Sequence, residues 1–100
     1  MATFVDLAPD AATEERDSFC AWIRANGLDP RRIPQGYPLV IEVDPPTAWT
    51  LTADVVECDR HGQPLTDSRY ELRTRKITVH LREPPRTEWF YSPSFSIIVS

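Results

Sequence analysis

The sequence predicts an α+β fold in which one N-terminal helix packs on an antiparallel sheet of about four or five strands. Near the start, apolar residues recur at helical spacing, whereas most later segments alternate apolar and polar residues. No second segment has the helical pattern, and no connection is long enough for a crossover between parallel strands. The chain has 100 residues, the size of a single domain.

A short apolar segment from Phe4 to Leu7 opens the chain and is expected to lie on the core or to join a sheet edge. The helix that follows is predicted from about residue 12 to residue 26. Asp10 or Thr13 is a suitable N-cap because its side chain can accept from a free backbone amide. Four residues at helical spacing form the predicted apolar stripe: Ala12, Phe19, Trp22 and Ile23.

The letters NGLDPRRIP predict how the helix ends. Gly27 is expected in the left-handed conformation of a Schellman ending, in which Leu28 contacts Ile23. Asp29 is then expected to cap a single helical turn that ends before Pro34. A helix-turn-helix needs a second helix of several turns, so this segment is not expected to read DNA.

The following segments alternate and predict strands, separated by a break at Pro45-Pro46 and by a turn in DRHGQP. A return strand is expected to start at Leu65. Leu39, Ile41 and Val43 share one face of the first strand, and Trp49, Leu51, Ala53 and Val55 share one face of the next. In a third strand, Ile77, Val79 and Leu81 are predicted to face the core. Lys76, Thr78, His80 and Arg82 are predicted to face outward.

The C-terminal segment TEWFYSPSFSIIV predicts one or two further short strands. Phe95, Ile97 and Val99 share one face of the last strand, and Ile98 lies on the other. A strand that is apolar on both faces must be buried on both or paired with something. It is either an inner strand of this sheet or a strand that pairs by its edge with a second copy or a host protein.

The charge is distributed unevenly along the chain, with a formal net charge of −4. The part up to Asp59 carries −7, and the part from Arg60 onward carries +3. Duplex-DNA-binding domains are usually basic overall, which disfavours that class. The candidate binding residues lie in the second half: Arg73, Arg75, Lys76, Arg82, Trp89 and Tyr91.

Two interpretations of this basic and aromatic group stay open. Basic side chains next to aromatic rings are typical of single-stranded nucleic-acid binding, with charge for phosphates and rings for bases. Lysines and arginines are also ordinary on exposed strands, where they discourage aggregation between sheets. Trp89 and Phe90 point in opposite directions if extended, so at least one of them is expected in the core.

Catalysis and metal binding are not expected. The histidines are His61, in the predicted turn, and His80, on an outward strand face, and neither has an evident partner. Cys58 and His61 form a single short-spaced ligand pair, whereas structural zinc sites usually have two such pairs. The three glycines stand apart, so no phosphate-binding loop is predicted, and no cofactor is expected.

The cellular compartment is predicted from the start of the chain and from its two cysteines. Acidic residues in MATFVDLAPDAATEERD argue against a signal peptide, and no apolar run approaches the roughly 20 residues of a membrane span. A cytoplasmic protein is therefore expected, with Cys20 and Cys58 as reduced thiols. A bridge between them is expected only if the protein is secreted.

The segment WIRANGLDPRRIP, with the later DRHGQP hairpin, resembles a group of small uncharacterised proteins of actinobacteria, their phages and integrated prophages. The residues that carry the resemblance are Trp22, Ile23, Ala25-Asn26-Gly27, Leu28, Asp29-Pro30 and Ile33-Pro34. The resemblance implies a bacterial or phage cytoplasm and an accessory role. It implies no activity and no functional residues.

These observations favour a small non-enzymatic protein that acts by binding another protein or by self-association. The alternative is single-stranded nucleic-acid binding through the basic and aromatic second half of the chain.

Overall fold

The structure, a computed structural model, describes residues 2–44 and 48–99. The helix α1 spans Thr13–Ala25, and two short 3₁₀ helices span Pro30–Arg32 and Thr87–Tyr91. The strands are β1 Ala2–Leu7, β2 Leu39–Asp44, β3 Ala48–Val56, β4 Thr74–His80 and β5 Phe95–Val99. The predicted break at Pro45-Pro46 lies outside the described residues.

The strands form one antiparallel sheet in the order β4-β3-β2-β1-β5 within the described ranges, which confirms the predicted fold class. The apolar segment at the start of the chain forms β1, which lies between β2 and β5. It is therefore an inner strand that precedes the helix. The segment does join the sheet, but β5 pairs along its other side and takes the edge position.

The helix packs on one face of this sheet, called the inner face here. Phe19, Trp22 and Ile23 are buried in the common core, as the stripe predicts. Ala12 is exposed, however, and occupies the N-cap position, where no side chain accepts a hydrogen bond. The predictions for Ala12 and for capping by Asp10 or Thr13 are therefore wrong, because the helix begins one residue later than the stripe suggested.

The segment before β5 is a 3₁₀ helix rather than a strand, and it brings Trp89 into the core. Trp89 stacks on Phe95 with ring centroids 4.6 Å apart and meets Trp22 edge-on at 5.4 Å. Phe19 lies 5.8 Å from the Trp89 ring. This cluster of four aromatic rings attaches the helix to the β5 side of the sheet.

The predicted helix ending is confirmed in detail. Gly27 has φ +90°, and its amide donates to the carbonyl of Arg24 at 2.9 Å. The amide of Leu28 donates to the carbonyl of Ile23 at 3.2 Å, which completes the Schellman motif. The carboxylate of Asp29 accepts from the Arg31 amide at 3.0 Å and so caps the following 3₁₀ turn.

The connection between β3 and β4 contains two successive turns of the same design. The Asp59 carboxylate accepts from the amides of residues 61 and 63, and the Asp67 carboxylate accepts from those of residues 69 and 71. Gly62 has φ +80° in the first turn, and Tyr70 has φ +62° at the equivalent place in the second. Leu65 lies between the turns. Its amide donates to the carbonyl of Glu57 at 2.8 Å, and its carbonyl accepts from the amide of Arg73 at 2.9 Å.

In the ranges that the structure describes, no helix is long and apolar enough to cross a membrane.

Candidate binding groove

An apolar groove opens on the inner face at one end of the sheet, where β1 and β3 begin and β2, β4 and β5 end. It has a volume of about 510 Å³, within the range of roughly 300–1,000 Å³ typical of ligand sites. The residues that line it are Thr3, Ile41, Trp49, Leu81, Arg82, Pro84, Pro85, Phe90 and Val99. None of them belongs to α1, so this end of the inner face is left open by the helix.

The floor of the groove consists of strand residues in register with each other. Thr3 pairs with Ile41 on one side and with Val99 on the other, so these three residues form one row across the sheet. Trp49 lies at the start of β3, and its carbonyl accepts from the Leu81 amide at 2.9 Å. The floor is therefore fixed by the hydrogen bonds of the sheet.

The wall of the groove is the segment after β4, and the end of the helix holds it in place. The Asn26 side-chain oxygen accepts from the amides of Arg82 and Glu83 at 2.8 and 3.0 Å. Its amide nitrogen donates to the carbonyls of Trp22 and Glu83 at 3.0 and 3.2 Å. The indole of Trp22 donates to the same Glu83 carbonyl at 2.8 Å. We call these four residues the helix-end junction.

Asn26 is the buried polar residue of the described core, with 1% of its surface exposed. Because its oxygen accepts twice and its nitrogen donates twice, the buried amide is fully hydrogen-bonded. Pro84 and Pro85 follow directly, and their rings fix the backbone torsion φ. The junction and the two prolines therefore present a preformed wall.

The surface of the groove is aromatic and apolar, with one charge. Trp49 is 52% exposed and Phe90 is 53% exposed, so both residues leave about half of their surface open to solvent. The polar side chains of the lining are those of Thr3 and Arg82. In the described part of the chain, no carboxylate forms an ion pair with the Arg82 guanidinium. The arrangement suits an apolar group with a negative charge beside it.

The structure separates the residues of the basic and aromatic group. Arg73 forms an ion pair with Glu57 at 3.2 Å, and Lys76 forms one with Asp54, also at 3.2 Å. Trp89 is 3% exposed and lies in the core, so its ring is not on the surface.

The remaining members of that group lie apart. Arg75 is exposed in β4 opposite Val55, on the inner face, whereas Lys76 is on the other face. Tyr91 is exposed but does not line the groove. Among the predicted site residues, Arg82 alone lines it.

The other candidate groups do not converge within the described ranges. No three histidine, cysteine or acidic side chains come together in a way that could hold a metal ion. His61 and His80 are both exposed. Cys20 and Cys58 are free thiols, each half-buried.

One carboxylate outside the groove has a shifted pKa. Glu15 accepts hydrogen bonds from the hydroxyls of Ser92 and Ser94 at 2.7 and 2.8 Å. These bonds favour the charged form and lower the pKa of Glu15 below its ordinary value. They tie the first turn of α1 to the segment before β5.

The groove could not be predicted from the sequence because its residues come from six separate places in the chain. The alternation predicts that Trp49 shares a face with Leu51; both lie on the inner face, but Leu51 is buried and Trp49 is half exposed. The position of Trp49 could have indicated its exposure. It lies at the start of its strand, and a helix of 13 residues need not extend that far along the sheet. Phe90 could be found only once Trp89 was known to be the buried member of the pair.

The chain matches no family model, no curated protein and no solved structure.

Proposed function

We propose that the protein is a small binding protein whose groove takes a short segment of a protein partner. That segment inserts an apolar or aromatic side chain between Trp49 and Phe90 and places a carboxylate against Arg82. The observation that carries the proposal is the preformed apolar groove with two half-exposed aromatic rings. Tryptophan and arginine are also the residue types most often found to dominate binding energy at interfaces.

The lining argues for binding rather than for a reaction. A nucleophile needs a base, and neither a histidine, a cysteine nor a carboxylate lines the described groove. Arg82 and the hydroxyl of Thr3 can position a ligand by charge and by hydrogen bonding. Non-catalytic action is part of the proposal: the protein is an accessory protein of phage or prophage origin in the cytoplasm of an actinobacterium.

The test is selection of peptides from a random displayed library, followed by titration of the selected peptides. We expect them to share an aromatic or large aliphatic residue near an acidic one. Trp49→Ala and Phe90→Ala should each weaken binding by about tenfold or more, equivalent to roughly 1.4 kcal/mol. Arg82→Gln should remove the preference for acidic peptides.

Tyr91→Ala is the matched control, because Tyr91 is an exposed aromatic residue of the same 3₁₀ helix but does not line the groove. It should leave peptide affinity unchanged. Failure to select any peptide, or equal affinity in all four variants, would refute the proposal.

The alternative, single-stranded nucleic-acid binding, has its own outcome. It predicts binding of random oligonucleotides that falls steeply with salt and is weakened by Arg73→Ala and Arg75→Ala. Three observations favour peptide binding in the groove over nucleic-acid binding. Arg73 is ion-paired with Glu57, Trp89 is buried, and Arg75 and Lys76 lie on opposite faces of the sheet.

A further inference from the structure

The strand β5 is a free edge of the sheet with unusual composition. It pairs with β1 on one side and has no neighbour on the other within the described residues. Its sequence FSIIV contains no charged residue, no proline and no glycine. Ile98 is 59% exposed, and Val99 is also exposed. Exposed apolar edges are sites of pairing with another chain, and native proteins normally protect them.

The backbone groups available at this edge follow from the pairing with β1. The Ala8 amide donates to the Ser94 carbonyl at 2.7 Å, and hydrogen-bonded pairs alternate along an antiparallel ladder. Ile98 and Ser96 therefore bond to β1, whereas the amides and carbonyls of Ile97 and Val99 point away from the sheet.

We propose that two copies of the chain pair through β5 in antiparallel orientation, about a twofold axis at Ile98. In this register Ile97 of one copy faces Val99 of the other, and each of these two pairs exchanges two hydrogen bonds. A register centred on Ile97 would instead require the Phe95 amide to bond to the second copy. That amide already donates to the Ser92 carbonyl at 3.3 Å.

The side chains on the outer face of the sheet support a second copy as the occupant. Phe4 is paired with Ile98 on one side and with Val40 on the other, so the three form a continuous apolar row. The twofold axis at Ile98 joins this row to its counterpart in the second copy. An uncharged strand pairs with itself without placing like charges opposite each other, which makes it self-complementary.

The proposal goes beyond the groove and is tested separately from it. We expect the average mass in sedimentation equilibrium to rise with protein concentration from 11.5 kDa towards twice that value. Ile98→Lys places two like charges at the axis and should abolish the rise. An equimolar mixture of Ile98→Lys and Ile98→Glu should restore it, because the charges then attract.

His80→Lys is the matched control, since His80 is exposed on the same face but at the opposite edge of the sheet. It should leave the dimer intact. A monomeric mass for the parent chain at all concentrations overturns the proposal, as does a dimer that survives Ile98→Lys.

A cross-linking variant fixes the register and does not depend on how well Ile98→Lys folds. In a chain with Cys20→Ser and Cys58→Ser, Ile98→Cys should form a disulfide-linked dimer under mild oxidation. Non-hydrogen-bonded antiparallel pairs have Cα atoms about 4.5 Å apart, within disulfide range. Ser96→Cys in the same chain should not cross-link efficiently, because position 96 does not face itself. Equal cross-linking of the two variants would refute the twofold axis at Ile98.

Variants of the groove and of β5 distinguish the proposal of peptide binding from the proposal of dimerisation. Trp49→Ala should lose peptide binding but still dimerise, whereas Ile98→Lys should remain monomeric and still bind peptide.

Discussion

The helix-end junction and the groove both use the segment after β4. The junction pairs its polar atoms within the protein, whereas the groove leaves apolar side chains exposed. In the junction, every hydrogen-bonding atom of the Asn26 side chain has a partner inside the protein. In the groove beside it, Phe90 and Trp49 contribute apolar surface that the described chain leaves uncovered. The connection between β4 and β5 therefore fixes the fold through its backbone and offers a binding surface through its side chains.

We therefore expect substitutions in the junction to lower the free energy of unfolding and substitutions in the groove to lower peptide affinity. The largest effect is expected for Asn26→Ala, which removes the acceptor of two partly buried hydrogen bonds, those of the Arg82 and Glu83 amides. A fully buried amide without an acceptor costs about 1–3 kcal/mol, so the free energy of unfolding should fall by about 2 kcal/mol or more. Urea denaturation measures this value.

The control for Asn26→Ala is Arg24→Ala, an exposed residue of the same helical turn, which should change stability by no more than about 0.5 kcal/mol. A loss below about 1 kcal/mol for Asn26→Ala would mean that the junction does not hold the wall of the groove.

The helix ending should be the next most sensitive place. Gly27→Ala puts a side chain on a backbone with φ +90° and should destabilise the protein by about 1 kcal/mol or more. Gly27→Asn should cost less, because asparagine tolerates the left-handed conformation. Thermal unfolding of the two variants checks the order, and equal stability of Gly27→Ala and the parent would contradict the Schellman ending.

Tyr70 allows the opposite substitution to Gly27→Ala: a side chain can be removed from a backbone with positive φ. It has φ +62°, and its side chain is 90% exposed, so replacing it removes strain and little packing. Tyr70→Gly should therefore raise the free energy of unfolding by about 0.5–1 kcal/mol. A destabilised Tyr70→Gly variant would show that the tyrosine makes a contribution that its exposure conceals.

The contact between Glu15 and the two serines predicts a dependence on pH. A carboxyl whose pKa is lowered on folding stabilises the native state above its unfolded pKa, and this stabilisation is lost as the pH falls through the lowered value. Glu15→Gln should therefore lower the Tm near neutral pH, and the difference from the parent should shrink in acid. Glu14→Gln is the matched control, because Glu14 is an exposed residue of the same helical turn, and it should leave the Tm near neutral pH unchanged.

The smallest effect on stability is expected in the groove itself. Phe90 is half exposed, so Phe90→Ala should change the free energy of unfolding by no more than about 0.5 kcal/mol, while peptide affinity falls by about tenfold or more. Urea denaturation and peptide titration on one sample measure both. A large loss of stability would assign Phe90 to the core and remove it from the binding surface.

The two edge strands of the sheet, β4 and β5, also differ in whether they are protected against pairing with another chain. The strand β4 carries Arg75 and Lys76, and charged side chains at an edge discourage pairing. The strand β5 carries none. This contrast is visible in the sequence, but which strands form the edges is not, because the strand order depends on β1 entering the middle of the sheet.

Features that depend on neighbouring residues along the chain could be predicted from the amino-acid sequence alone. The helix and its ending at Gly27, the cap at Asp29, and the alternation of Leu51 and Ala53 with outward residues all follow from local torsions and from periodicity. Features that depend on residues far apart in the chain follow only from the three-dimensional packing. Asn26 meets Glu83, 57 positions away, and Trp89 rather than Phe90 enters the core. The groove exists for the same physical reason: α1 leaves one end of the inner face open, and no local pattern records where a helix lies on a sheet.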